Sequence, residues 1–128
     1  GLTCPPVTIG VGLGGTKDQA FAIAKQAAQL RPVGDRHPDP IVAELEDELH
    51  EMVDGLGLGA MGYPGSGGYA TDVHMEIAYT HSALTPLGIH QLCQAARRAV
   101  IRVSPDGTME PRDVPAWFSE YSRREGIL

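Results

Sequence analysis

Residues 7–30 read VTIGVGLGGTKDQAFAIAKQAAQL, and the fold is decided here. Val7, Ile9, Val11 and Leu13 alternate with threonine and glycine, the period-two pattern of a short buried strand. Thr16 suits an N-cap, and Gln19 three residues later completes a capping box. From Lys17 to Leu30 the residues Ala20, Phe21, Ile23, Ala24, Ala27 and Leu30 keep helical spacing, which predicts a helix. A strand that turns through glycines into a helix belongs to the α/β class.

Working outward, residues 31–40 (RPVGDRHPDP) hold three prolines and form a loop. Asp39 is an N-cap and Pro40 fills the first position of a second helix, expected over Pro40–Asp54. Ile41, Leu45, Leu49, Met52 and Val53 make its expected buried stripe. Glu44, Glu46, Asp47, Glu48, Glu51 and Asp54 crowd its other faces and read as a solvated face rather than a metal site. His50-Glu51 lacks the second histidine of a zinc-protease helix, because Asp54 stands in its place. Residues 55–68 (GLGLGAMGYPGSGG) carry seven glycines in fourteen positions, a backbone that wraps something closely or takes left-handed turns.

Thr71–Ile77 alternates Val73, Met75 and Ile77 with Asp72, His74 and Glu76, which predicts a half-buried strand. An extended segment is expected over Leu84–Leu92, and a further strand over Ala99–Val103 ends at the turn Ser104-Pro105-Asp106-Gly107. Val114–Arg124, with Trp117, Phe118 and Tyr121, suits a short terminal helix. The expected architecture is a mixed β-sheet flanked by helices, part of a larger domain. Residues 1–128 form one domain or fragment, with 104–128 as a C-terminal extension.

At 42% apolar and 20% charged, the 128 residues can build a packed core. No apolar run is long enough for a membrane-spanning helix. A net charge of −6 argues against a nucleic-acid backbone as partner, since phosphate binding needs clustered Lys and Arg. No signal-peptide pattern opens the chain, so a cytoplasmic location is expected.

Gly10-Val-Gly12-Leu-Gly14-Gly15 formally fits the dinucleotide fingerprint. The acid-terminated second strand that such a site needs is replaced by the proline-rich loop. The N–H groups opening the first helix still suit an anionic group. Cys4 and Cys93 form no CxxC pair, which excludes zinc fingers and thioredoxin-type motifs. They are buried or free thiols, or one disulfide if the protein is secreted. Arg97 and Arg98 follow Cys93, and adjacent cations favour the metal-binding thiolate. His74 and His90 read as structural histidines.

Six stretches in order carry a resemblance: Thr3-Cys4-Pro5-Pro6, Ile9–Thr16, Pro38-Asp39-Pro40, Gly57-Leu58-Gly59-Ala60-Met61-Gly62, Thr80-His81 and Cys93–Ala99. Together they make the chain similar to the iron–sulfur hydro-lyases of the class I fumarate hydratase and L(+)-tartrate dehydratase family. The resemblance implies a [4Fe–4S] cluster on three cysteines, with Cys4 and Cys93 as two of them and the third in an upstream segment. It implies Lewis-acid chemistry at an open iron, with water added to or lost from a dicarboxylic acid, fumarate/malate first and tartrate next. It also implies Thr80 and His81 as the active-site Thr-His pair, with His81 touching substrate.

The partners so implied are the upstream segment, a beta subunit or C-terminal domain, and an oligomer. The chain departs from the family at Gly68-Tyr69-Ala70-Thr71, where a threonine pair is usual. The alternatives are a catalytically silent fragment or assembly subunit, and an anion- or nucleotide-binding module on the first glycine loop. An isolated chain is expected to hold no stable cluster and to associate around Cys4, Met61 and His81.

Overall fold

The computed structural model describes residues 4, 6–59, 63–65, 68–93, 95 and 101–111. Strand β1 (Val7–Leu13) leads into helix α1 (Lys17–Leu30) and helix α2 (Pro40–Asp54). Strands β2 (Ala70–Ile77), β3 (Leu87–Cys93), β4 (Ile101–Val103) and β5 (Met109–Pro111) follow. The order β2-β1-β3 makes a mixed sheet, with β1 parallel to β2 and antiparallel to β3. β4 and β5 form a separate hairpin, closed by the Gly107 N–H donating to the Ser104 carbonyl at 2.9 Å. The α/β expectation and the elements through β3 are met to within a few residues. The expected helix over Val114–Arg124 lies outside the described residues, as do Met61, Arg97 and Arg98. No helix among the described residues is long and apolar enough to cross a membrane.

The first helix sits where β1 has no side chains. A Cβ on Gly10 would lie 2.0 Å from the Ala24 carbonyl oxygen, and one on Gly12 would lie 2.0 Å from that of Ala20. The backbone of α1 therefore rests directly on the strand, and its buried residues are the four alanines Ala20, Ala24, Ala27 and Ala28. Phe21 and Leu30, which share the helical spacing of the apolar residues, are exposed. A close helix on a glycine strip has room for methyl groups only. These glycines are helix-packing positions inside a strand, which removes the dinucleotide-loop reading.

On the opposite face Val7, Ile9 and Val11 meet Val73 and Met75 of β2 and Val42 of α2, with Leu49 and Val53 packed against them. The expected stripe of α2 is therefore corrected. Ile41 and Met52 point to solvent, while Val42 and Glu46 are buried. Glu46 is fully buried because it is neutralised and fully bonded. Arg31 donates to it at 2.6 Å, the Met75 N–H at 2.7 Å and the His37 N–H at 2.9 Å.

β2 is likewise buried on both faces rather than half-buried. Asp72 and His74 lie under α1, as a strand in a parallel pair covered by a helix on each side requires. The His74 ring bonds Asp72 at 3.0 Å through Nε2 and meets the Ala27 carbonyl at 3.2 Å through Nδ1. It is the structural histidine expected of it.

Candidate functional site

The β1–β3 pairing brings the two cysteines together. Val7 stands opposite Cys93 in the antiparallel register, and Cys4 lies three positions before Val7, at the same end of the sheet. The Cys93 Sγ donates to the Cys4 carbonyl at 3.4 Å across 89 positions of sequence, and the Ala95 N–H donates to the Cys93 sulfur at 3.4 Å. Both thiols are free, Cys4 exposed and Cys93 partly so. Two accessible soft donors at one sheet end, one already accepting an N–H, suit a thiophilic metal or an iron–sulfur group. They are two ligands of the set such a group needs. Among the described residues no three His, Cys, Asp or Glu side chains gather to hold a metal ion.

Thr80 and His81 lie at the other end. β1 leaves the sheet through Gly14 and Gly15, whose φ angles of 91° and 70° admit the tight turn into α1. The Thr80 hydroxyl donates to the Leu84 carbonyl at 2.5 Å and lies 3.4 Å from that of Gly15, so it ties the 80–84 loop against this turn. His81 is exposed, and its Nδ1 accepts from the Ala83 N–H at 3.1 Å. That contact puts the proton of the neutral ring on Nε2, which presents an N–H donor outward. A cavity of about 420 Å³ opens beside this loop, lined by Gly15, Thr16, Lys17, Leu84 and Pro86 among others. The Thr16 side chain accepts from the Gln19 N–H at 3.2 Å, as the capping motif requires.

The two ends are a strand apart. Seven residues of β1 at about 3.3 Å each separate them by roughly 20 Å. The structure unites Cys4 with Cys93 and Thr80 with His81, and it does not bring the pairs to one point within a chain. Sequence reasoning missed a buried ionic network that fixes this frame. Asp72 accepts from the Gly34 N–H at 2.6 Å and from Arg36 at 2.9 Å, besides His74. Burial opposes its ionisation, yet the hydrogen bonds from His74 and Gly34 and the charges of His74 and Arg36 hold its carboxyl well below the usual carboxylate range. The signal for it was the pair Asp72 and His74 alternating with core residues on a strand parallel to β1.

A family model described as fumarate hydratase (Fumerase) matches residues 1–102. A protein of Methanocaldococcus jannaschii, assigned provisionally as L(+)-tartrate dehydratase subunit alpha, is 47% identical over 109 residues, covering 85% of this chain and 38% of its own length. The L(+)-tartrate dehydratase subunit alpha of Escherichia coli strain UTI89 is 40% identical over 107 residues, covering 84% of this chain and 35% of its own. That of strain K12 is 39% identical over the same shares. The chain thus spans little more than a third of the curated relatives it matches. With the match running from residue 1 to residue 102, within β4, the chain belongs to the fumarate hydratase (Fumerase) family.

Proposed function

We propose that this chain is the part of an iron–sulfur hydro-lyase alpha subunit that provides two thiolates, Cys4 and Cys93, to a [4Fe–4S] cluster. The assembled enzyme adds water to, or removes it from, a small dicarboxylic acid. The observation that carries this reading is the contact of the Cys93 thiol with the Cys4 backbone carbonyl, which places two free cysteines, 89 positions apart, at one sheet end. Their donor chemistry suits iron–sulfur ligation, and their number leaves the rest of the ligand set to other parts of the subunit. When bound, such a group with one iron free of protein thiolate supplies a Lewis acid for a leaving hydroxyl.

The relatives' names favour tartrate as the diacid, ahead of the fumarate/malate pair that the family name suggests. They also support a partner: an alpha subunit implies another subunit. The remainder of an alpha subunit and a beta subunit complete the proposed assembly. In it His81 offers its Nε2–H to a substrate carboxylate, and Thr80 is a positioning residue that fixes the loop carrying it. Because His81 lies roughly 20 Å from the thiols of its own chain, it serves a cluster held by a different copy.

The test is anaerobic reconstitution with iron and sulfide of this chain together with the remainder of the Methanocaldococcus alpha subunit and its partner subunit. The visible absorbance of the cluster is followed, and L(+)-tartrate and fumarate are assayed. Colour and tartrate turnover are expected, and both disappear in Cys4→Ser and Cys93→Ser. A colourless assembly with all parts present, or full turnover in either serine variant, overturns the proposal.

A further inference from the structure

We infer that the open apolar column of β3, Leu87 and Ile89 with Ile77 beside them, is the seat of the portion of an alpha subunit that lies outside the residues this chain shares with its relatives. The inference rests on the alpha-subunit reading above and adds the surface and the chemistry of the contact.

The two faces of the sheet are covered unequally. α1 lies over the face of Gly10, Gly12 and Gly88, so that side of β3 is closed; a Cβ on Gly88 would lie 2.7 Å from the Ala20 carbonyl oxygen. On the other face α2 packs on β2 and does not reach β3. Core rows therefore run out into the open. Buried Val11 stands beside Ile89, which is 55% exposed, and Leu13 stands between Ile77 at 49% and Leu87 at 55%. A row that is core at one strand and bare at the next is a face cut open, not a scatter of single surface apolars.

The strand itself, LGIHQLC, has no Lys, Arg, Asp, Glu or Pro. It lacks the charges and prolines by which an edge strand resists association. Among the described residues β3 is also the edge of its sheet. An occupant that meets it offers an uncharged, apolar helix or strand face.

Two observations select the occupant. The chain spans 35–38% of its relatives, so more than half of such a subunit lies outside the shared residues and can supply an element for this face. And Leu87, Ile89, Gln91 and Cys93 share one face of β3, so the open column ends at a thiol that lacks a full ligand set. An element seated on Leu87 and Ile89 is carried along the strand to Cys93, where a further ligand is needed.

The experiment expresses the remainder of the Methanocaldococcus alpha subunit as a separate polypeptide and titrates it with this chain by sedimentation, without iron. A one-to-one complex is expected. Ile89→Lys and Leu87→Lys are expected to weaken it at least tenfold, while Met52→Lys, on the exposed side of α2, leaves it unchanged. Circular dichroism melts at the parent's midpoint establish that the variants fold. Hydrogen exchange reads the same contact independently, the amides of β3 gaining protection on mixing.

Binding unaffected by Ile89→Lys, no complex, or a parent homodimer that Ile89→Lys dissociates while the remainder never binds would each overturn the inference. The readout needs no cluster. A complex that forms through this face but never processes a diacid once the partner subunit, iron and sulfide are supplied would sink the hydro-lyase reading and leave the docking face standing.

Discussion

Replacing Gly12 by alanine tests whether the glycines of β1 serve packing or ligand binding. The added methyl would lie 2.0 Å from the Ala20 carbonyl oxygen, 2.7 Å from Ile23 Cγ1 and 2.8 Å from the Ala24 amide nitrogen. Two of these are backbone atoms of a helix and cannot swing away. Ordinary contact begins near 3.4 Å, so α1 has to withdraw by about 1 Å or more. A gap of that size forfeits a quarter to a half of the dispersion energy along the alanine strip.

Overpacking of this kind costs roughly 1–3 kcal/mol, and the immovable backbone places Gly12→Ala near the upper end. The lower unfolded-state entropy of alanine offsets about 0.4–1 kcal/mol of it. A net loss of about 2 kcal/mol corresponds to a fall of roughly 6–8 °C in Tm for a chain of this size. Gly34→Ala is the control. Nothing lies within 4 Å of its Cβ, and its φ of 88° leaves a conformational cost of about 1–2 kcal/mol without any helix movement. Thermal melts by circular dichroism give the loss, and hydrogen exchange in α1 separates the two mechanisms. A Gly12→Ala chain that melts within 2 °C of the parent, with α1 amides equally protected, would refute the packing argument.

Glu46→Gln should destabilise by roughly 1.5–3 kcal/mol in chemical denaturation, because Arg31 keeps Asp35 and Glu76 but loses its charged bond to Glu46, and an amide NH₂ faces the Met75 or His37 N–H. A loss below 1 kcal/mol would show that the pair is solvated. Asp72 has a folded pKa below its unfolded value near 3.9, so its contribution is complete above about pH 5 and fades as pH falls through 4 and below. Urea midpoints at about pH 6 and pH 3 should therefore show the stability gap between parent and Asp72→Asn shrinking with acid; a constant gap would contradict the assignment. In the assembled enzyme, co-expressed His81→Ala and Cys93→Ser chains should recover part of the activity that each variant lacks alone, since mixed oligomers contain one intact site. No recovery in verified mixed oligomers would place both residues in the same copy's site.

Much of the frame was legible because local rules and tertiary packing agreed there. β1, the Thr16 cap and α1 follow from periodicity and capping within 24 consecutive residues. The buried face of α2 did not. A hydrophobic stripe drawn through Ile41 and Leu45 counts every acid as solvated, and nothing near Glu46 announces that Arg31 will neutralise it from the preceding loop. β2 was misread for a related reason. Its polar alternation looks like a solvent face until α1 is laid over it, and then Asp72 and His74 need partners from Gly34, Arg36 and Ala27. Cys4, Cys93, Thr80 and His81 could each be singled out in the sequence, but their grouping followed only from the family resemblance and not from periodicity or spacing. His81 and Cys93 are close in sequence, and an intervening extended strand drives them apart. Cys4 and Cys93 are far apart, and the β1–β3 register joins them.

That register has a chemical consequence for any site built here. A strand is nearly inextensible, so the roughly 20 Å between the thiol end and the Thr80–His81 end is a fixed spacing that no loop adjustment closes. α1 is clamped to β1 over the same length by Gly10 and Gly12, which prevents the strand from bending toward either end. A small ligand held near Cys93 would therefore be beyond the reach of the Thr80–His81 end of its own sheet. In the proposed enzyme the carboxylates of the diacid are then met by residues outside the described ones, across the open β3 face or from another copy. The division places soft donors at one end and a histidine N–H donor with a cavity at the other. On the proposed reading each end is half of a site, and assembly, not the folding of one chain, completes them.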